Sequence, residues 1–354
     1  MSCFRLLDSV LGELERILAD FFWQGSNEPK IHWLAWSKLC ISKAQGGLGF
    51  RRLREFNLAL LRKQAWRISM YPECLPHQIL SQKYFPGLTF FEARLGARPS
   101  YTWRSVWETR DILAAGVRWR VGNGQNIAVI GHPWLPRPVT FQLIRRPHSL
   151  TEDSKVAQLI NPDNKWNVSL ILSELSHEDA DCILSVKPRG PEVRDELIWH
   201  FETKGCFSVK SAYRLATKPH EEGSSSQQTS NWKFIWKSKA PPKVVLFAWR
   251  CVRNLLPTAV NLKRRGVPTD SCVGCAGESE DSIHFLLNCS YARLVWGGGS
   301  GGGCFFPGVE DWFNRVHRML EKDEWELFSR FAGDFGGLVI SECLRGGRWK
   351  LRRL

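Results

Sequence analysis

No run of this sequence approaches the roughly 20 apolar residues that a helix needs to cross a bilayer. Nor does a charged leader with a short apolar core precede the rest. Both absences lead us to expect an intracellular protein of the nucleus or cytoplasm, neither secreted nor held in a membrane. A disulfide framework is missing as well. The 11 cysteines are odd in number, and eight of them, from Cys3 and Cys40 through Cys74, Cys182, Cys206 and Cys251 to Cys304 and Cys343, are scattered, as in a reducing compartment. Acidic residues are in deficit: 35 Asp and Glu stand against 49 Lys and Arg, a net charge of +14. An excess of that sign favours an anionic partner, of which nucleic acid is the commonest and an acidic membrane surface the alternative.

What is present in concentrated form is a set of soft metal ligands. Cys272-Val273-Gly274-Cys275 is followed by His284 and Cys289, which reads C-x2-C-x8-H-x4-C within 18 residues. Zinc takes four such ligands in a tetrahedron, and a set with no vacant position is structural rather than catalytic. Gly274 supplies the positive φ that a tight knuckle needs. Asp281 or Ser282 caps a short helix that starts near Ile283 and presents His284 from its first turn, and Asn288 stops it before Cys289. The plainer alternative is reduced thiols beside a core histidine. The His and Cys downstream, with turn residues between, weigh against it.

The length of 354 residues suits two or three domains. The pattern predicts an α+β fold: a mostly helical region over 1–98, short β-hairpins in 99–216, a polar linker over 217–230, a small helical domain over 231–296, and a Gly-rich tether with an irregular tail over 297–354. Apolar residues recur at helical spacing over 5–22 and again from Leu53 to Ile68. The second helix carries Arg51, Arg52, Arg54, Arg62, Lys63 and Arg67 on its other face, and a solvated face is the plain reading of those charges. Gly122-Asn123-Gly124 between Trp119–Val121 and Ile127–Val129 predicts one hairpin, and Lys204-Gly205 a second over 195–210. Ser211 is the expected cap of the helix that follows. The acidic run His177–Asp181 reads as a solvated helix start. Residues 231–270 hold nine Lys and Arg against Asp270 alone, interleaved with aromatics. Val244, Phe247, Ala248, Cys251, Val252 and Leu255 form one helix face there, and Thr258 and Gly266 bracket a second short helix.

Several of these segments resemble a known family. The run from His32 to Arg67, including KAQGGLGFRRLREFNLALLRKQAWR, resembles the stretch that follows the polymerase palm in plant non-LTR (LINE-type) retrotransposon reverse transcriptases. SYTWRSVW at 100–107, GVRWRVGNG at 116–124, HPWLP at 132–136 and DELIWHFETKGCFSVKSAYRL at 195–215 continue the likeness. The block WKFIWKSKAPPKVVLFAWRCVRNLLPTAVNLKRRGV at 232–267, the four ligands and SYARLVW at 290–296 are similar to the reverse transcriptase zinc-binding domain. The resemblance covers roughly 5–296. It implies that 1–98 is a post-palm, thumb- or connection-like region. It also implies that Cys272, Cys275, His284 and Cys289 hold one structural Zn2+, and that the chain grips element RNA or target DNA.

Polymerase activity is not implied. Two-metal phosphoryl transfer needs carboxylates held together, typically in a Tyr-x-Asp-Asp turn. The sequence has no such turn, and the palm is expected upstream of Met1. A complete ribonuclease H domain is not expected either, because the acids of 297–354 lack strand context; a disrupted reading frame is the hypothesis for that tail. The residues expected to contact phosphates are Lys243, Arg250, Arg253, Lys263, Arg264 and Arg265, with Arg51, Arg52, Arg62 and Lys63. Lys263, Arg264 and Arg265 could equally offset the formal −1 charge of a three-thiolate zinc complex. Two rival functions remain: a protein-interaction module that docks on a separate polymerase palm or partner chain, and a residual ribonuclease H-type nuclease.

Overall fold

Strong helix formers dominate Leu53–Met70, and in the computed structural model they form the longest helix among the described residues. The structure describes residues 1–23, 31–137, 140–222, 232–238, 241–267, 272, 275, 279–290 and 292. The expected tether and tail over 297–354, residues 223–230 of the expected linker, Gly274 and most of 290–296 lie outside the described residues. In chain order the helices are α1 (Asp8–Trp23), α2 (Trp36–Leu39), α3 (Leu53–Met70), α4 (Leu75–Tyr84), α5 (Tyr101–Trp107) and α6 (Arg110–Ala114). They continue with α7 (Val168–Glu174), α8 (His177–Leu184), α9 (Val209–Glu222), α10 (Lys233–Trp236), α11 (Pro242–Val252) and α12 (Ala259–Lys263). Strands β1 (Val117–Arg120) and β2 (Glu196–Trp199) form one antiparallel pair. The fold is mostly helical α+β, as the pattern predicted.

The chain forms two compact units. The first joins Met1–Leu11 to the described residues after Leu53, up to α9. Here α3 packs against α4, α5, α6 and α9 and buries Ala59, Leu61, Ala65, Trp66 and Ile68. So many neighbours bury more than one stripe of α3. Trp103 lies fully buried in this core, stacked on Tyr84 at 4.7 Å. Trp199, also fully buried, donates its indole N–H to the Ser211 hydroxyl at 2.8 Å. Gly116 has no alternative at its position, since a Cβ there would fall 2.2 Å from the Trp199 ring.

The pairing of strands differs from the two hairpins expected. β1 pairs with β2, with Val117 opposite Trp199, and not with 127–129. The reason is a carboxylate. Asp195 accepts the Gly122 and Gly124 N–H groups on one oxygen, at 2.8 and 2.9 Å, and the Asn126 N–H on the other at 2.9 Å. The two glycines let the backbone close around this anion: a Cβ on Gly122 would meet the Val193 carbonyl at 2.2 Å, and Gly124 has φ +72°. The second hairpin has no return strand either. The Trp199 N–H meets the Gly205 carbonyl at 2.8 Å, after which the chain enters α9. Ser208, not Ser211, caps that helix by accepting the Ser211 N–H at 3.1 Å. The helix continues through Glu222, so residues 217–222 of the expected linker are helical; the Thr217 hydroxyl is buried and bonds back to the Tyr213 carbonyl at 3.1 Å.

The acidic run at 177–181 begins α8, with Ser176 accepting the Asp179 N–H. One member is not solvated. Asp179 is fully buried and accepts from Arg137 at 2.7 Å, the Ser176 hydroxyl at 2.8 Å and the Ile144 N–H at 3.1 Å. Burial pushes its pKa up, but these donors, with the Arg145 N–H, outweigh burial and hold it below the ordinary carboxylate value. A carboxylate depressed in the folded state stabilises fully above its unfolded pKa, about 3.9, and stops doing so as pH falls through the folded value. Asp179→Asn is therefore expected to cost about 2 kcal/mol at neutral pH and to flatten the loss of stability below pH ~4. Denaturant titrations at pH 7 and across pH 2–5 measure both; a variant with the parent's acid dependence would contradict the assignment.

Candidate metal centre

The second unit joins Gly12–Arg52 to the described residues after Ser226. Its core contains Ala19, Trp23, Leu39, Leu48, Trp232, Ile235, Phe247, Trp249, Leu255, Leu256 and Phe285. The Trp- and Gly-rich stretch near 33–50 thus shares a core with α10 and α11. Trp249, fully buried, donates its indole N–H to the Gly46 carbonyl at 2.9 Å. Gly46 has φ +83°, and a Cβ there would strike the Trp232 ring at 2.5 Å. Helix α11 starts with Pro242 in its first turn, where no amide donor is needed, and buries Val244, Phe247, Ala248, Trp249 and Cys251. Thr258 caps α12 by accepting the Asn261 N–H at 3.4 Å, and Gly266 follows that helix with φ +80°.

Against this core the four soft ligands converge. The donor atoms of Cys272, Cys275, His284 and Cys289 all lie within 4.8 Å of one another. Cys272, His284 and Cys289 are buried and Cys275 is half-buried. Two details of chain geometry make this possible. The Asp281 carboxylate accepts the His284 N–H at 2.6 Å, which caps the turn that carries the histidine. Then His284–Asn288 winds as a π-helix, closed by Cys289 N–H on the His284 carbonyl at 2.9 Å. Residues five apart on an α-helix point about 140° away from each other. The wider i→i+5 turn brings the fifth residue back over the first, so His284 and Cys289 share one face. The x4 spacing that looks irregular for an α-helix suits this turn.

The donor set passes a dimensional test for zinc. Bonds of about 2.3 Å to sulfur and 2.0–2.1 Å to nitrogen at tetrahedral angles place two sulfurs ~3.8 Å apart and sulfur and nitrogen ~3.6 Å apart. The Cys272 and Cys289 Sγ atoms are 3.7 Å apart, and Cys275 Sγ lies 3.3 Å from His284 Nε2. The first distance also far exceeds the ~2.05 Å of a disulfide. Three sulfurs and one imidazole fill a tetrahedron, so the set can hold an ion and offers no open position for catalysis. Glu280, buried beside it, has its pKa pushed up by burial.

The cations expected to meet phosphates divide into three groups. Arg51, Lys63, Lys243, Lys263, Arg264 and Arg265 are exposed, and Arg52 is half-buried. Arg62 is a correction: it is 2% exposed, its guanidinium donates to the Ala212 carbonyl at 3.3 Å, and burial pushes its pKa down to about 10. It belongs to the packing of α3 on α9. Arg250 and Arg253 are also turned inward. Arg250 lies over the Trp23 ring at 5.3 Å and Arg253 over Trp232 at 5.6 Å, and burial lowers the pKa of both. Both are half-buried, with an aromatic face beside each cation. Unforeseen in the sequence were the polar residues behind the centre, Asn254 and Asn261. Asn254, with φ +53° just past α11, carries a signal that was available, since Asn is favoured in a left-handed helix stop.

Residues 207–296 match the family model described as the zinc-binding domain in reverse transcriptase. A protein of Arabidopsis thaliana that bears the name "Putative ribonuclease H protein" is 29% identical over 305 residues, 84% of this chain and 48% of its own length. The chain therefore spans about half of that relative. An uncharacterized mitochondrial protein of Arabidopsis thaliana is 43% identical over 139 residues, 39% of this chain and 88% of the relative. No solved structure matches the chain.

Cys275→Ser removes one of the four donors. Loss of protection against amide exchange is expected over 279–290 and in α11 and α12, while β1, β2 and α3 of the other unit keep theirs. Exchange measured on both units checks this. Equal loss in both would mean that the two units unfold as one.

Proposed function

Because this chain belongs to the retrotransposon-derived family that carries the zinc-binding domain of reverse transcriptases, we propose that it is a zinc- and nucleic-acid-binding part of such an enzyme, of the plant LINE type. On this reading it has no polymerase site of its own. The observation that carries the proposal is the closed Cys3His set. Bound there, one zinc ion would supply cross-linking and no reaction. The chain's own residues do the rest: Asp281 and the π turn hold His284 and Cys289 in line, while Cys272 and Cys289 are part of the hydrophobic core. The exposed cations Lys243, Lys263, Arg264 and Arg265 in the same unit meet phosphates of RNA or DNA, and Arg51 and Lys63 are further contacts.

A second reading, docking on a polymerase palm or partner chain, is favoured by α1. Its apolar residues Leu14, Ile17, Leu18 and Phe21 are exposed, Phe21 at 76%.

Salt dependence separates the two readings. Binding that neutralises Z phosphates gives a log–log slope near −0.9Z on duplex DNA. Replacing Lys263 and Arg264 together with Ala is expected to reduce that slope by about 1–2, whereas Arg62→Met leaves it unchanged. Fluorescence anisotropy with labelled RNA and DNA between 50 and 300 mM salt (roughly the range over which counterion release is measurable) reads the slope. Salt-insensitive binding, or no binding to either nucleic acid, would favour docking instead.

A further inference from the structure

The turn that presents His284 is tied to the rest of its unit by a small polar junction, in which Ser282 and Asn261 are buried and Asn254 is exposed. Ser282, 4% exposed and two residues before the histidine, donates its hydroxyl to Asn254 Oδ1 at 2.7 Å. Asn261, 6% exposed on α12, donates Nδ2 to the same Oδ1 at 3.1 Å. That amide also reaches the Asn254 backbone carbonyl at 3.0 Å and the Leu256 carbonyl at 2.9 Å. A backbone bond from the Val260 N–H to the Glu280 carbonyl, 3.0 Å, runs alongside. One side-chain oxygen of Asn254 thus receives both the start of the histidine turn and the α11–α12 corner.

Asn254 has two separable roles. Its backbone, at φ +53°, lets the chain leave α11, a task that glycine performs at least as well. Its side-chain oxygen is needed only for the junction. Directional hydrogen bonds from two buried donors fix one geometry where an apolar contact would allow several. Groups that orient metal ligands without touching the metal commonly govern affinity.

We infer that Asn254, Asn261 and Ser282 are positioning residues of the metal centre, with the Asn254 side chain setting His284 against the three thiols. The inference rests on the zinc reading given above. The junction lowers the cost of assembling the site, so its loss weakens metal binding without removing a ligand.

The test is zinc affinity by chelator competition on the full chain, with the optical spectrum of the Co2+-loaded protein as a report on tetrahedral sulfur–nitrogen ligation. Asn254→Gly keeps the turn and removes the oxygen; it is expected to weaken zinc binding about 10- to 100-fold and to alter the Co2+ bands. Asn254→Asp, which still offers an oxygen to both donors, is expected to retain most of the affinity. Ser282→Ala, a smaller change that leaves both asparagines, is expected to lie between the two. Parent-like affinity in Asn254→Gly overturns the inference, as does parent-like affinity in Ser282→Ala should the glycine variant fail to fold. Absence of zinc from the parent protein is a different result: it overturns the zinc reading itself.

Discussion

The i→i+5 turn from His284 to Cys289 is the constraint on which the metal centre depends. It is a rare backbone state with poorer hydrogen-bond geometry than an α-helix. Here it turns a five-residue spacing into a shared face, with Asp281 holding its start and Cys289 leaving helical geometry at its end. Cys272 and Cys289 then approach to 3.7 Å among Phe285, Leu286 and Leu255, apolar neighbours that pack the site without competing for metal. Two of the three sulfurs, those of Cys272 and Cys289, are buried, and that of Cys275 is half-buried. On the proposed reading, a divalent ion bound there would couple metal binding to folding of the segment.

The surrounding unit manages its positive charge in two ways. Arg250 and Arg253 lie over indole rings, whose aromatic faces attract the cation. Lys43 stands over Trp236 at 4.8 Å in the same manner. Lys243, Lys263, Arg264 and Arg265 stay at the surface. The tryptophans of this unit are therefore not only core volume; Trp23, Trp232 and Trp236 each lie beside a cation.

How much of this was legible in the sequence depended on the range of the interaction. Local signals were readable: the stripe Val244, Phe247, Ala248 and Cys251 lies on a buried helix face, and Thr258 and Gly266 stand at the ends of α12. The four ligands meet, as their spacing suggested. Long-range partners were not readable. Gly122-Asn123-Gly124 has the composition of a hairpin turn, yet its amides serve Asp195, more than 70 residues away. Arg62 lies among exposed basic residues in the sequence, but α9 packs over it. Asp179 lies in an acidic run that looks solvated, and Arg137 and two backbone amides enclose it. In each case a tertiary neighbour, invisible to periodicity, overrode the local pattern.

The most direct measurement is zinc K-edge X-ray absorption on the purified, metal-quantified chain. One zinc per chain is expected, with three sulfur neighbours at about 2.3 Å and one nitrogen at about 2.0–2.1 Å. A protein without zinc, or an ion surrounded by oxygen and nitrogen alone, would contradict the assignment of Cys272, Cys275, His284 and Cys289 as a closed structural site.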